Sequence, residues 1–200
     1  LATNQYQLFY SGVLFETHWR STRIERPKVV AICDVSGSVR QYARFLLLFL
    51  YSLDELLSDV QSYAFTNHLV DVSATFESLP VEQAVDKVLN AVGGSGTDYG
   101  QMLLDLDEQL MHRIDHRTTV LVLGDARNNR GHARSEIMKT LYGRARRVIW
   151  LNPEPRSFWG LGDSEMKRYA PYCHIARECN SLRHLERTLD ELLRSNSASA

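Results

Sequence analysis

The chain has no surplus of either charge, no apolar run long enough for a membrane, and too few cysteines to staple a fold. Lysine and arginine total 23 against 24 aspartates and glutamates, a formal net charge of −1, so the positive footprint of a general nucleic-acid binder is missing. Any charged partner must be recognised locally. The longest apolar stretch, 45–53, is interrupted by Ser52 and followed by Asp54, far short of the roughly 20 residues that cross a bilayer. Cys33, Cys173 and Cys179 are an odd set without the C-x-x-C spacing of a zinc site, and Cys33 lies in an apolar run where a thiol serves as a small hydrophobe. A reducing, cytoplasmic setting fits them. The opening Leu-Ala-Thr has neither an initiator Met nor a basic-then-apolar leader, as expected of a processed chain or, preferably, of a piece cut from a longer protein.

What is present is core material. Apolar residues make up 44% of 200, enough for one α/β domain and too short a chain for two. The expected division is an N-terminal extension, or remnant of a longer region, at 1–25, a domain at 26–195 and a disordered tail at 196–200. From Arg26 onward short β-like runs alternate with helix-length patterns, the signature of βαβ units. Lys28 to Cys33, Thr118 to Leu123 and Arg147 to Leu151 read as strands, the first two rich in β-branched residues without alternation, as when both faces are covered. Val60 to Phe65 is a further strand, and Leu69 to Ser73 can fold back on it as an antiparallel edge. Tyr172 to Ala176 supplies a last strand.

Helical spacing of apolar residues places helices at Gln41 to Leu57, Pro80 to about Asn90, Tyr99 to Arg113, Arg134 to Tyr142 and Ser181 to Arg194. Gly143 is expected to end the fourth as a left-handed cap. Asn152 to Asp163, with Pro153, Pro155, Gly160 and Gly162, reads as a long irregular loop. The fold class that follows is a Rossmann-like, doubly wound, mainly parallel sheet with helices on both faces and one short antiparallel edge.

In such sheets ligands bind beyond the carboxyl ends of the strands. Three loops there carry Asp34, Ser36 and Ser38, then Thr97, then Asp125. Two carboxylates and three hydroxyls are hard oxygen donors, which suit Mg²⁺, with Mn²⁺ or Ca²⁺ as alternatives, rather than zinc. Asp34, Ser36 and Ser38 alternate by two, so an extended turn points them to one side, and Gly37 permits the bend. Gly93, Gly94 and Gly96 let the second loop bring Thr97 close.

D-V-S-G-S at 34–38, the GGSGT threonine at 97 and the post-strand Asp125 resemble the metal-ion-dependent adhesion site of von Willebrand factor A domains, over roughly Lys28 to Arg194. GDARNN at 124–129, WLNPEP at 150–155 and FWGLGDSEMKRYAPYC at 158–173 resemble the CoxE-like branch of bacterial proteins, which implies a glycine where Ala126 stands, a departure outside the ligand set. The resemblance implies that Ser36 and Ser38 bind a metal directly, Thr97 directly or through water, and Asp34 and Asp125 largely through water. It further implies a non-enzymatic module that captures an acidic residue of a protein partner, working with a MoxR-type AAA+ ATPase in cofactor maturation of a client such as carbon monoxide dehydrogenase.

Blander readings compete. A lone Asp-x-Ser-x-Ser is most often a capped helix entrance, and three loops in the right order argue against that here. Asp98 is assigned to capping the Tyr99 helix. Arg127, Asn128 and Asn129 form a partner-binding rim or simply a turn. Phe158 and Trp159 are an exposed anchor or, as the better expectation, are buried under their loop. His68, His132, His174 and His184 are scattered, and His112 and His116, though four apart, straddle the expected end of the Tyr99 helix at Arg113, so none makes the helix-borne pair of a zinc site. The rival function is an Mg²⁺-dependent phosphoryl-transfer enzyme with Asp34 as nucleophile, but Ser36 stands where a second carboxylate belongs. A serine hydrolase lacks its G-x-S-x-G elbow.

Overall fold

The computed structural model describes residues 28–57, 59–93, 96–181, 183–188 and 190; the expected extension at 1–25 and tail at 196–200 lie outside them. Six strands form one sheet: β1 (Lys28–Asp34), β2 (Val60–Phe65), β3 (Leu69–Asp71), β4 (Thr118–Leu123), β5 (Arg147–Asn152) and β6 (Ile175–Glu178). Their spatial order is β3-β2-β1-β4-β5-β6. All pairings are parallel except β2 with β3, so the expected sheet and its antiparallel edge are both observed.

Period-two alternation sorts the strand side chains between two cores. Val30, Ile32, Val120, Val122, Val148 and Trp150 face one side, packed by Met102, Leu103 and Leu106 of α4 (Tyr99–Gln109) and by Ile137, Met138 and Leu141 of α5 (Ser135–Arg144). Val29, Ala31, Cys33, Leu121, Leu123, Ile149 and Leu151 face the other, under Leu46, Leu47, Leu50 and Leu53 of α1 (Arg40–Leu56) and Ala84, Val85 and Val88 of α3 (Val81–Val92). Each fully buried aliphatic side chain contributes about 1.5–3 kcal/mol. Both faces are therefore covered, and the carboxyl edge of the sheet is where loops are left to function.

Several elements depart from the sequence expectation for local reasons. The chain leaves β3 at Asp71, whose Oδ1 accepts the Ser73 N–H at 2.9 Å; this side-chain turn starts a short helix α2 (Ser73–Ser78) that buries Phe76, where strand was expected to reach Ser73. Gly143 is not a left-handed cap: α5 runs through it to Arg144 and closes on Ala145, whose N–H reaches Leu141 O in extended conformation. The left-handed residue of that helix is Arg134 at its other end, φ 51°. The Tyr99 helix stops at Gln109 and tightens into a 3-10 turn at Met111–Arg113. A short helix α6 (Met166–Tyr169) and a 3-10 turn, Ala170–Tyr172, occupy the approach to the last strand, which therefore begins at Ile175 rather than Tyr172. Residues 183–188 are helical and bury Leu185 against the sheet; Leu182, Leu189 and the end of that expected helix lie outside the described residues.

Candidate metal centre

The strand order places the topological switch point between β1 and β4. From β1 the chain moves outward to β2 and β3, then returns to β4 and continues the other way through β5 and β6. Loops leaving β1 and β4 diverge there and open a crevice. Asp34 is the last residue of β1, and Asp125 follows β4 by two residues. Register therefore sets two carboxylates at one crevice.

Asp34 is fully buried. Its Oδ1 accepts the Ser36 N–H at 2.8 Å and its Oδ2 accepts the Tyr99 hydroxyl at 2.6 Å. The first bond curls the loop back so that Ser36 Oγ lies 3.1 Å from Ser38 Oγ. Ser38 Oγ in turn lies 3.5 Å from Thr97 Oγ1, carried in from the loop ahead of α4. Asp125 Oδ1 accepts the Arg127 N–H at 2.9 Å, and the Ser38 hydroxyl hydrogen-bonds the same carboxyl group. All five expected residues thus meet in one cluster. Only Ser38 among them is exposed, so the cluster opens to solvent on its side.

Tyr99 was not read from the sequence as part of the site. It is fully buried, edge-on to Phe65 and stacked with Trp150 at ring-centroid distances of 5.0 and 5.7 Å, and this aromatic wall aims its hydroxyl at Asp34. Gly124 makes room for it: a Cβ there would lie 2.1 Å from the Tyr99 hydroxyl and 2.8 Å from Asp34 Cβ. Gly124 opens the GDARNN stretch but was given no role there, and only the packing reveals what it and Tyr99 do.

Burial governs the electrostatics of the cluster. Burial, and then the charge of Asp125, raise the Asp34 carboxyl to about 7. Burial raises Asp125 to about 6, against the lowering effect of its Arg127 and Ser38 bonds. Two desolvated carboxyl groups beside three hydroxyls form a donor set whose ionised form a cation would stabilise. The donors are all oxygen, three of them hydroxyls, a set that fits a hard divalent ion better than the nitrogen- and sulfur-seeking zinc.

The sequence matches the family model of VWA domain containing CoxE-like proteins over residues 5–188. This chain belongs to the CoxE-like family. None of the curated proteins matches it. Among solved structures it is similar to the von Willebrand factor type A protein from Catenulispora acidiphila, at 15% identity and a TM-score of 0.56, covering 84% of this chain and 42% of that one. It is also similar to proximal thread matrix protein 1 of the mussel byssus, at 13% and 0.55, covering 82% and 46%. An aerotolerance-related membrane protein from Bacteroides fragilis NCTC 9343 matches at 13% and 0.53, covering 82% and 97%. At these identities the likeness concerns the fold. The CoxE-like chain spans less than half the length of the first two neighbours, and its family is one of metal-dependent protein-interaction modules in general.

The CoxE-like stretch 124–134 is wound through left-handed backbone: Ala126, Asn129, Arg130 and Arg134 all have φ between 46° and 62°. Ala126, at 62°, occupies the position for which the family resemblance implies glycine, and a Cβ there costs roughly 1–2 kcal/mol. The expected rim divides in three. Asn128 is buried and its Oδ1 accepts the Tyr99 N–H at 2.6 Å; it caps α4 and is not available at the surface, which corrects its place in the rim. Arg127 is half-buried and ties the loop to Glu154 and Asp163 at 2.8 and 2.7 Å. Asn129 is exposed and its Nδ2 donates to Thr97 O at 2.9 Å. Asp98 caps α4 as expected, accepting the Gln101 N–H at 2.8 Å.

Beside Ser38 and Asp125 lies a cleft of about 190 Å³ walled by Tyr42, Pro153, Glu154, Pro155 and Phe158. Phe158 is 49% exposed because its 3-10 turn, Arg156–Phe158, points it outward, contrary to the expectation of burial. Trp159 is half-buried, held by Nε1 donation to Glu154 O at 3.1 Å.

The raised carboxyl groups set the pH behaviour of the CoxE-like centre. Asp34 and Asp125 hold protons in the metal-free fold that they would release when unfolded, so their protonation stabilises that fold at low pH and the contribution is lost as pH rises through about 6 and about 7. A cation must displace the same protons. Mg²⁺ affinity is expected to fall by about tenfold per pH unit as pH drops through that window, read by calorimetric titration; an affinity flat across it would contradict the assignment.

Proposed function

We propose that this domain holds one divalent cation, Mg²⁺ in the first instance, through Ser36, Ser38, Thr97, Asp34 and Asp125, and through it captures an acidic residue of a partner protein. The carrying observation is the convergence of three hydroxyls and two buried carboxylates from three loops at the switch point. The bound ion would supply an electrophilic position that a partner's Glu or Asp completes. The protein's own part is to hold the donors still: Ser36 N–H and Tyr99 fix Asp34, Arg127 N–H fixes Asp125, and Asn129 fixes the Thr97 backbone. The opening at Ser38 leads into the cleft under Phe158, which gives a partner segment somewhere to lie.

The reading is of an adaptor rather than an enzyme. Both oxygens of Asp34 are engaged and the side chain is fully buried, so it does not suit the nucleophile of a phosphoryl-transfer enzyme. The family resemblance supports a MoxR-type AAA+ ATPase as partner and a metalloenzyme undergoing cofactor maturation as client, in the cytoplasm. No helix among the described residues is long and apolar enough to cross a membrane. Affinity capture from the source cell in Mg²⁺, in EDTA, and with Asp34→Ala as bait tests this. Recovery of an ATPase in Mg²⁺ alone is expected; equal recovery in all three would refute the adaptor reading.

A further inference from the structure

The loop that carries Phe158 is tied down more firmly than a simple connection requires, and it holds apolar side chains outward. Phe158 and Leu161 are 49% and 52% exposed and belong to consecutive turns, the Leu161 N–H donating to Phe158 O at 3.0 Å. Phe158 N–H donates to Pro155 O at 2.9 Å and Ser164 N–H to Leu161 O at 3.2 Å. Arg127 grips both ends of the loop, Glu154 before it and Asp163 after it, and Trp159 is anchored to Glu154 O. Exposed apolar groups on a pinned loop are what an interaction surface presents, because little ordering is left to lose on binding.

What can lie against Phe158 follows from the cleft it walls. That cleft, about 190 Å³, is bounded at one place by Ser38 and Asp125 of the metal centre and elsewhere by Tyr42, Pro153, Pro155 and Phe158. A segment whose acidic residue reaches the ion therefore carries its neighbouring side chain past this wall. None of the described lining residues is Lys, Arg or His, so a second acid on the segment meets no cation there. A base fares no better, since Glu154 is already paired with Arg127 at 2.8 Å and Asp125 is hydrogen-bonded within the metal centre. Two aromatic rings and two prolines offer apolar surface instead.

Resting on the metal-capture reading, we propose that the Phe158 turn reads the residue beside the partner's acid: the partner segment carries a large apolar side chain, aromatic or aliphatic, within two positions of the Glu or Asp that meets the ion. The ion supplies a contact common to any acidic segment. The turn supplies the choice among such segments, as a pre-ordered apolar anchor site does at other interfaces.

The test is a displayed heptapeptide library with a fixed central glutamate, selected on the full chain in Mg²⁺ and eluted with EDTA. Enrichment of Phe, Tyr, Trp, Leu, Ile or Met within two positions of the glutamate is expected on the wild type and is lost on Phe158→Ser, a change at an exposed side chain that the core does not feel. Calorimetry with a synthetic form of the most enriched peptide should show Phe158→Ser binding it about tenfold more weakly. The control Leu56→Ser, at an exposed apolar residue of α1, should bind it as the wild type does. Peptides enriched without the apolar neighbour, with Lys or Arg in its place, or held equally by Phe158→Ser would overturn this inference and leave the metal reading standing. No EDTA-eluted peptide at all would remove the metal reading and this inference with it. A dimer in sedimentation that Phe158→Ser dissolves would give the turn to a second copy of the chain and overturn the inference likewise.

Discussion

Asp34→Asn is expected to make the metal-free domain more stable and to end its response to Mg²⁺. The wild-type carboxyl is raised by burial and by Asp125, so in the folded state its ionisation is opposed where in the unfolded chain it is free. The sign follows: above about pH 7 the wild type pays for a buried charge that asparagine does not carry. The amide keeps the shape and its oxygen can accept from Ser36 N–H, while toward Tyr99 the bond must reverse, leaving the phenolic hydrogen without its acceptor, a cost smaller than that of the buried charge removed. Urea unfolding in EDTA should therefore show a gain of roughly 1–3 kcal/mol, shrinking as pH falls toward the range in which Asp34 is already protonated. Excess Mg²⁺ should stabilise the wild type, by about 2.7 kcal/mol at a hundredfold excess over Kd, and leave the variant unmoved. A variant less stable in EDTA would mean that Asp34 serves the fold and not an ion.

Gly124→Ala carries the second large effect, in the opposite direction. The new methyl would stand 2.1 Å from the Tyr99 hydroxyl and 2.8 Å from Asp34 Cβ, and neither can yield cheaply. Tyr99 is wedged against Phe65 and Trp150, while Asp34 is held in β1 by its pairing with Phe65 of β2. Relief requires either a shift of β4 or loss of the Tyr99–Asp34 bond, a loss of about 2–4 kcal/mol in unfolding free energy together with weaker Mg²⁺ binding. A stable Gly124→Ala protein with unaltered metal affinity would show that the aromatic wall does not position the carboxylate.

The five residues of the cluster were legible in the sequence because Asp34, Ser36, Ser38 and Asp125 follow strand ends and Thr97 stands just ahead of a helix. The β-branched runs of β1 and β4 are unmistakable, parallel pairing brings their carboxyl ends together, and D-V-S-G-S, ambiguous alone, gains its meaning from the other two loops. What escaped was set by contacts distant in sequence. Tyr99 looks like the first residue of an ordinary helix until Trp150, more than fifty positions further along the chain, stacks on it. Asn128 sits in a polar run that reads as surface, yet it is drawn inward by the unsatisfied N–H groups at the start of α4. Phe158 has the composition of a buried residue, but the turn that follows Pro155 faces it outward. At Gly143 the local rule failed for a simpler reason: nothing lies within 4 Å of where its Cβ would be, and the helix passes through.

The oxygen cluster at the switch point is tested most directly by titrating Mg²⁺ into metal-stripped wild type and Ser36→Ala in a calorimeter at neutral pH. Ser36 is buried and its hydroxyl meets Ser38 Oγ and the Asp34 carboxyl, while its backbone N–H, which holds the turn, survives substitution, so loss of the hydroxyl should leave the fold intact. A single saturable site in the wild type, weakened about a hundredfold or abolished in Ser36→Ala, is the predicted result. No binding in the wild type, or equal binding in both proteins, would contradict it.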